Sequence, residues 1–279
     1  MKILIDSLSS QVQVQLDGFP GGGPAATVPG RRLNTLLGAI HSGGTSLVPK
    51  PGAEWTWAYS SGPIDEAQLD GCDVFFIMTH HLPSHATDPK FVWSETELDA
   101  IESFVKRGGG LLLMSNHNPY PFYDVPLAAR FGVTLHNVAI SNEQGWVNIT
   151  GDLLNTSAFG ETYLFGVNAI AAHDGCAFSA PPSPEIAVFR PIASFSSDCT
   201  NGGQPVPPDW YFAAHLIYGN GQVVFVANSG TCGDYGGNPE PACGAIAWGS
   251  NLMFVLNCLR LLGHQPQATA LGSCPGGQG

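Results

Sequence analysis

Three histidines stand where a strand-like apolar run gives way to polar residues. His80 and His81 follow Asp73–Met78 (DVFFIM), and His117 follows Leu111–Met114 (LLLM). Histidine changes charge near neutral pH, with an ordinary pKa of about 6.5, so it suits general acid–base work. Asp6 follows the apolar Ile3-Leu4-Ile5 and could orient such a histidine. Ser115 and Asn116 precede His117. The first offers a hydroxyl nucleophile and the second an amide N–H for an oxyanion. The catalytic candidates are therefore His117, His80, Asp6, Ser115 and Asn116. His81, Ser229, Asp234 and Glu143 are the candidates for binding. Ser229 and Asp234 come after the apolar Gln222–Ala227, and Glu143 sits in an irregular loop that could fold over the site. His80, His81 and His117 could instead hold a divalent metal, Zn or Fe, since imidazole and carboxylate ligate both. Neighbouring strand residues point to opposite faces, so His80 and His81 share a metal only if the chain has left the strand. Each residue also has a plain reading. A strand-end histidine is often a solvated loop residue, Asp6 a cap, and Asn116 a turn former.

These groups meet only if their strands end at one sheet edge, where open α/β sheets bind ligands. The stretch Phe91–Tyr120 supplies the best-specified pieces. Ser94 and Glu97 have capping-box spacing, and Leu98, Ile101, Phe104 and Val105 recur at helical spacing. Gly108-Gly109-Gly110 ends that helix, and Leu111–Met114 reads as a strand covered on both faces. Lys2–Ile5 and Asp73–Met78 read as further buried strands, and Arg31–Ile40 as the first helix. Pro126–Phe131 is a short helix and Val133–Val138 a strand. Ala213–Tyr218 and Gln222–Ala227 form a hairpin about Gly219-Asn220-Gly221, followed by a helix over Ser250–Leu262. Residues 141–210 read as an irregular insertion with short strands at Ala187–Phe189 and Ile192–Phe195. Trp55, Trp57, Phe122, Tyr123 and Trp146 are candidates for an aromatic pocket wall or for satellite core.

Composition narrows the partners. Among 279 residues there are 22 acidic and 10 basic ones, a net charge of −12. So few cations argue against nucleic acid or an anionic membrane as a partner. A small neutral or cationic molecule is the expected substrate, and a homo-oligomer is compatible with the chain. No leader or long apolar run is encoded, which makes the cytoplasm the default compartment, with a secreted form whose leader has been removed as the alternative. None of the seven cysteines forms a CxxC pair. Disulfides within the Cys176/Cys199 or Cys232/Cys243 regions would signal an oxidising compartment.

The segments Asp73–Met78, ELDAIESFVKRGGGLLLMSNH (97–117), ARFGV (129–133), GNGQVVFVANSG (219–230) and SNLMFVLNCLRLLG (250–263) resemble the class I glutamine amidotransferase-like superfamily. The nearer likeness is to its ThuA-like branches, which lack the nucleophilic cysteine. The resemblance implies an α/β, flavodoxin-like three-layer sandwich with a mostly parallel sheet and a C-terminal hairpin and helix. One domain would span 1–264, followed by a flexible tail at 265–279. The superfamily's enzymes carry cysteine at a strand-to-helix elbow, where this chain has Ser115 or Asn116. ThuA-like members carry a histidine near this position, which His117 matches. The expected activity is hydrolysis of an ester, lactone or amide bond at a His-centred, metal-assisted or metal-free site. A non-catalytic sugar- or metabolite-binding module of the same fold is the alternative.

Overall fold

Runs that are apolar on both faces become the central strands, and amphipathic runs become the helices that cover them. The computed structural model describes residues 1–9, 33–41, 55–79, 92–155, 164, 166–180, 188–233, 246 and 249–264. In chain order the first elements are β1 (Lys2–Ile5), α1 (Asn34–His41), β2 (Thr56–Tyr59), α2 (Glu66–Leu69), β3 (Val74–Met78), α3 (Glu95–Lys106) and β4 (Gly110–Met114). After a 3-10 turn at Tyr120–Tyr123 come α4 (Val125–Arg130), β5 (Thr134–Ser141), β6 (Trp146–Thr150), β7 (Ala169–His173) and β8 (Gly175–Ser179). The chain closes with β9 (Val188–Ser194), β10 (Thr200–Asn201), β11 (Gln204–Pro205), β12 (Trp210–Tyr218), β13 (Gly221–Val226), a 3-10 turn at Ser229–Cys232 and α5 (Asn251–Leu262).

One sheet runs in the order β11-β10-β5-β8-β12-β13-β4-β3-β1-β2, with β9 also on β12, while β6 and β7 form a separate ribbon. Only the half from β2 to β13 is parallel. From β13 outward every pairing is antiparallel. The expectation of a mostly parallel, flavodoxin-like sandwich is therefore corrected: the sheet is mixed, and most of its pairings are antiparallel. The reason lies in the connections. Parallel neighbours need a crossover, usually a helix. Between β5 and β13 the described residues contain no α-helix. Residues 141–210, read as an insertion, supply β6–β11. The sheet also absorbs the two short strands expected at 187–195 as the single β9, with Pro191 on an outer strand where its missing N–H costs no ladder bond. Residues 17–30 and the tail at 265–279 lie outside the described residues.

The helix that opens the best-specified stretch forms as its spacing predicts. The Ser94 hydroxyl accepts from the Glu97 N–H, and the Glu97 carboxylate accepts from the Ser94 N–H and hydroxyl. Its other oxygen accepts from the Ile64 N–H at 3.1 Å, so the cap also ties α3 to the segment before α2. Glu97→Ala strands these buried donors and should cost about 1–3 kcal/mol in chemical denaturation. A loss within error of zero would show that water replaces the carboxylate.

His215 on β12 is fully buried, and its Nε2 donates to Gln222 Oε1 at 2.9 Å. Burial first, and then the charge of Arg190, pull its pKa down to about 4. The unfolded chain binds this proton near pH 6.5 and the folded chain only near 4. Stability should therefore fall as pH drops through that window. The fall should be smaller in His215→Gln, as followed by thermal melts across pH.

No helix among the described residues is long and apolar enough to cross a membrane. Cys72, Cys176, Cys199, Cys232 and Cys258 are free thiols, so Cys176 and Cys199 form no disulfide. Cys243 and Cys274 lie outside the described residues.

Candidate functional site

Strands β3, β4 and β13 are parallel neighbours and end together. The polar residues that follow them, Thr79, Ser115–His117 and Asn228–Ser229, therefore share one sheet edge. Thr79 marks the exit of β3. Its φ is 55°, a left-handed conformation rarely adopted by a β-branched residue. Such strain persists only where the surroundings over-determine it, and it clusters at functional sites. Here the Thr79 N–H donates to the Met114 carbonyl, and its hydroxyl donates to Ser229 Oγ at 3.0 Å. His80 and His81 follow Thr79 and lie outside the described residues, as does Asp234.

Ser115 continues β4, with its N–H donating to the Val226 carbonyl. It is fully buried, and its hydroxyl donates to Asp124 Oδ2 at 2.6 Å. Cys176 lies beside this pair. Burial and then the charge of Asp124 push its thiol well above the usual range. It is therefore a buried, inert thiol, not a nucleophile. Among the described groups, Ser115 anchors the turn and Asn116 and His117 face outward from it.

The Asn116 side chain is a junction. Its Oδ1 accepts from the His117 N–H at 2.9 Å and from Asn228 Nδ2 at 3.2 Å, while its Nδ2 lies 3.4 Å from Ser229 Oγ. His117 is half-buried. Its Nδ1 donates to the Asn118 carbonyl at 2.8 Å, so in the neutral ring the lone pair is on Nε2. The ring meets Tyr120 edge-on at 5.1 Å.

Asn228 extends the junction to the ribbon. Its Nδ2 lies 2.6 Å from the carbonyls of both His173 and Asp174. His173 ends β7 opposite Trp146 on β6, and the two rings stack at 3.7 Å. Burial holds the His173 imidazole below its ordinary pKa, with a smaller push the same way from His117. Asp174 and the Gly145 carbonyl, which accepts from the ring, oppose that shift. His173 is thus close enough to sense the charge of His117.

His173 has no partner pattern in the sequence that would mark it as part of a site. The only local sign of it was the apolar run AIAA ending in His-Asp-Gly, the mark of a strand end. Glu143 is exposed in the turn between β5 and β6, the same turn that presents Gly145 to His173. Asp6 also lies at this sheet edge, but β1 is two strand positions from β4, roughly 10 Å away. The Asp6 carboxylate accepts from the Leu8 N–H and the Ser9 hydroxyl, and Ser9 Oγ in turn accepts from the Met78 N–H. It shapes the turn after β1 and ties that turn to the end of β3. Among the described residues no three His, Cys, Asp or Glu side chains group closely enough to hold a metal ion.

Neither a protein-family model nor a curated protein matches this sequence. Solved structures do match. The mmIFT52 N-terminal domain aligns with a TM-score of 0.61 at 12% identity, covering 94% of this chain and 97% of that one. Cytoplasmic protein STM1381 from Salmonella typhimurium LT2 aligns at 0.50 and 15% identity, covering 94% and 99%. A ThuA-like protein from Bacteroides uniformis aligns at 0.48 and 14% identity, covering 94% and 91%. The structural neighbours thus include ThuA-like proteins, and at these identities the likeness is one of fold.

Proposed function

We propose that this protein hydrolyses an ester, lactone or amide bond of a small molecule, with His117 as general base. The supporting observation is the placement of His117. It is half-exposed at the shared ends of β3, β4 and β13, with Nδ1 engaged by Asn118 and its lone pair on Nε2. In this reading Nε2 takes a proton from water as the water oxygen attacks the carbonyl carbon. The bond to the leaving group then breaks, and the leaving group takes that proton from His117. One amide N–H of Asn116 points to Ser229, and the other donates to the oxyanion. Ser115 acts as a positioning residue, since it is enclosed and its hydroxyl donates its hydrogen bond to Asp124. The reaction is written with water and no covalent serine step.

Membership of the ThuA-like branch belongs to the same reading. It is supported by His117 at the end of the GGGLLLM strand and by the absence of cysteine there. A metal-assisted version would need His80 and His81 beside His117, and only His117 is among the described residues. The test is turnover of a panel of esters, lactones and amides by the full chain and by His117→Ala. Equal rates would sink the proposal.

A further inference from the structure

Phe122 and Val92 are the exposed large hydrophobic side chains among the described residues, at 65% and 54%. They stand on the rim of one groove of about 350 Å³, lined also by Trp93, Tyr123, Val125 and Asn137. Two paths join this groove to His117. The first is aromatic. His117 packs edge-on against Tyr120, which lies one 3-10 turn before Tyr123 on the same side, and Tyr123 packs edge-on against Phe122. The second is polar. The Asn118 side chain donates to the Asn137 carbonyl at 3.2 Å, and the Asn118 carbonyl accepts from His117. The groove therefore lies one 3-10 turn away from the residues that pack on His117.

Its size and lining indicate the occupant. About 350 Å³ falls at the small end of small-molecule sites. A stable protein interface needs about 800 Å² from each partner with an apolar centre, and two exposed hydrophobics do not supply that. The lining is aliphatic and aromatic apart from Asn137, with no charged residue, so it suits an alkyl group better than a sugar or an ion. We propose that this groove is the apolar subsite of the His117 centre and receives a short, unbranched acyl chain of the substrate. This inference rests on the hydrolase reading and adds a substrate class to it.

The test measures binding apart from turnover. Alkyl trifluoromethyl ketones of four to ten carbons, which resist hydrolysis, are titrated into the full chain by calorimetry. Affinity should rise about threefold to fourfold per added methylene until the groove is filled. Phe122→Asp and Val92→Asp change exposed side chains and should leave the melting temperature in place. Each should flatten that dependence and weaken the longest tight-binding probe at least tenfold. Wild-type affinity independent of chain length, or a dependence unchanged in both variants, overturns the proposal. Dimerisation of the wild type that Phe122→Asp abolishes, without probe binding, also overturns it and assigns the groove to a second copy. Chain-length-dependent binding with no turnover of any ester, lactone or amide defeats the hydrolase reading and leaves the groove as an apolar-chain site. Turnover without chain-length dependence does the reverse.

Discussion

His117→Ala is expected to lower kcat by about 10²- to 10⁴-fold on whichever ester, lactone or amide the wild type hydrolyses best. The magnitude is that of a general base removed from a reaction whose other parts remain. KM should change little, because Nε2 contributes to the transition state and not to substrate binding. The fold should survive the change. His117 is half-exposed, its ring touches Tyr120 at one edge, and its backbone N–H stays bonded to Asn116. A stability loss within about 1 kcal/mol is expected. Steady-state kinetics with a parallel melting curve separates the outcomes. Loss of turnover with an intact melt supports the base. A kcat equal to the wild type would show that His117 only lines the edge. Collapse of the fold is countered with His117→Gln, which retains a polar side chain at the position without a titrating nitrogen.

Gly221→Ala should be the most damaging small substitution in the described chain, costing about 3 kcal/mol or more. Gly221 opens β13, just after a turn in which Gly219 has a φ of +60°. The end of α3 lies directly on this hairpin: Asn220 N–H donates to the Lys106 carbonyl and Gln222 N–H to that of Gly109. A Cβ at 221 would come within 2.1 Å of the Val105 carbonyl oxygen and 2.4 Å of that of Gly109. Both are backbone atoms of the helix end and of the turn after it, so no side-chain rotation relieves the clash. For a chain of this size the melting temperature should fall by roughly 6–12 °C. Gly38→Ala is the counterpart. Gly38 is exposed within α1, and among the described residues nothing lies within 4 Å of its ideal Cβ. That change should raise stability by roughly 0.5–1 kcal/mol through helix propensity and the unfolded chain's entropy. Equal small effects at the two sites would refute the close-packed account of the hairpin.

The same glycines show what kind of information a sequence carries. Gly108 has the left-handed φ, +119°, that a helix stop requires, and this was legible from its place after Lys106-Arg107. Gly109 and Gly110 are needed for another reason. A Cβ at 109 would strike the Phe104 ring, and one at 110 the backbone of Leu262. Leu262 is more than a hundred residues away in sequence, and no local pattern announces that contact.

The candidate site divides along the same line. That His117 follows a buried strand could be read from LLLMSNH alone, because burial on both faces leaves an unbroken apolar run and the polar break marks its end. The sequence could not say that Ser115 would turn inward to Asp124 while His117 remained half-exposed. Nor could it say that Phe122 would face solvent while Tyr123, next to it, is buried. His173 was out of reach because its strand pairs with Trp146 in a separate ribbon, and Asn228 carries that ribbon's end to Asn116.

By itself, then, the sequence determined the parts whose cause is local. The capping box of α3, the buried strands β1, β3 and β4, the β12–β13 hairpin and the polar strand ends follow from side-chain periodicity and turn chemistry within a few residues. Tertiary structure alone decided the direction of the sheet beyond β13, the partner of each polar strand end and the second histidine. Those depend on pairings between segments tens to more than a hundred residues apart, and pairing leaves no periodic trace in either partner.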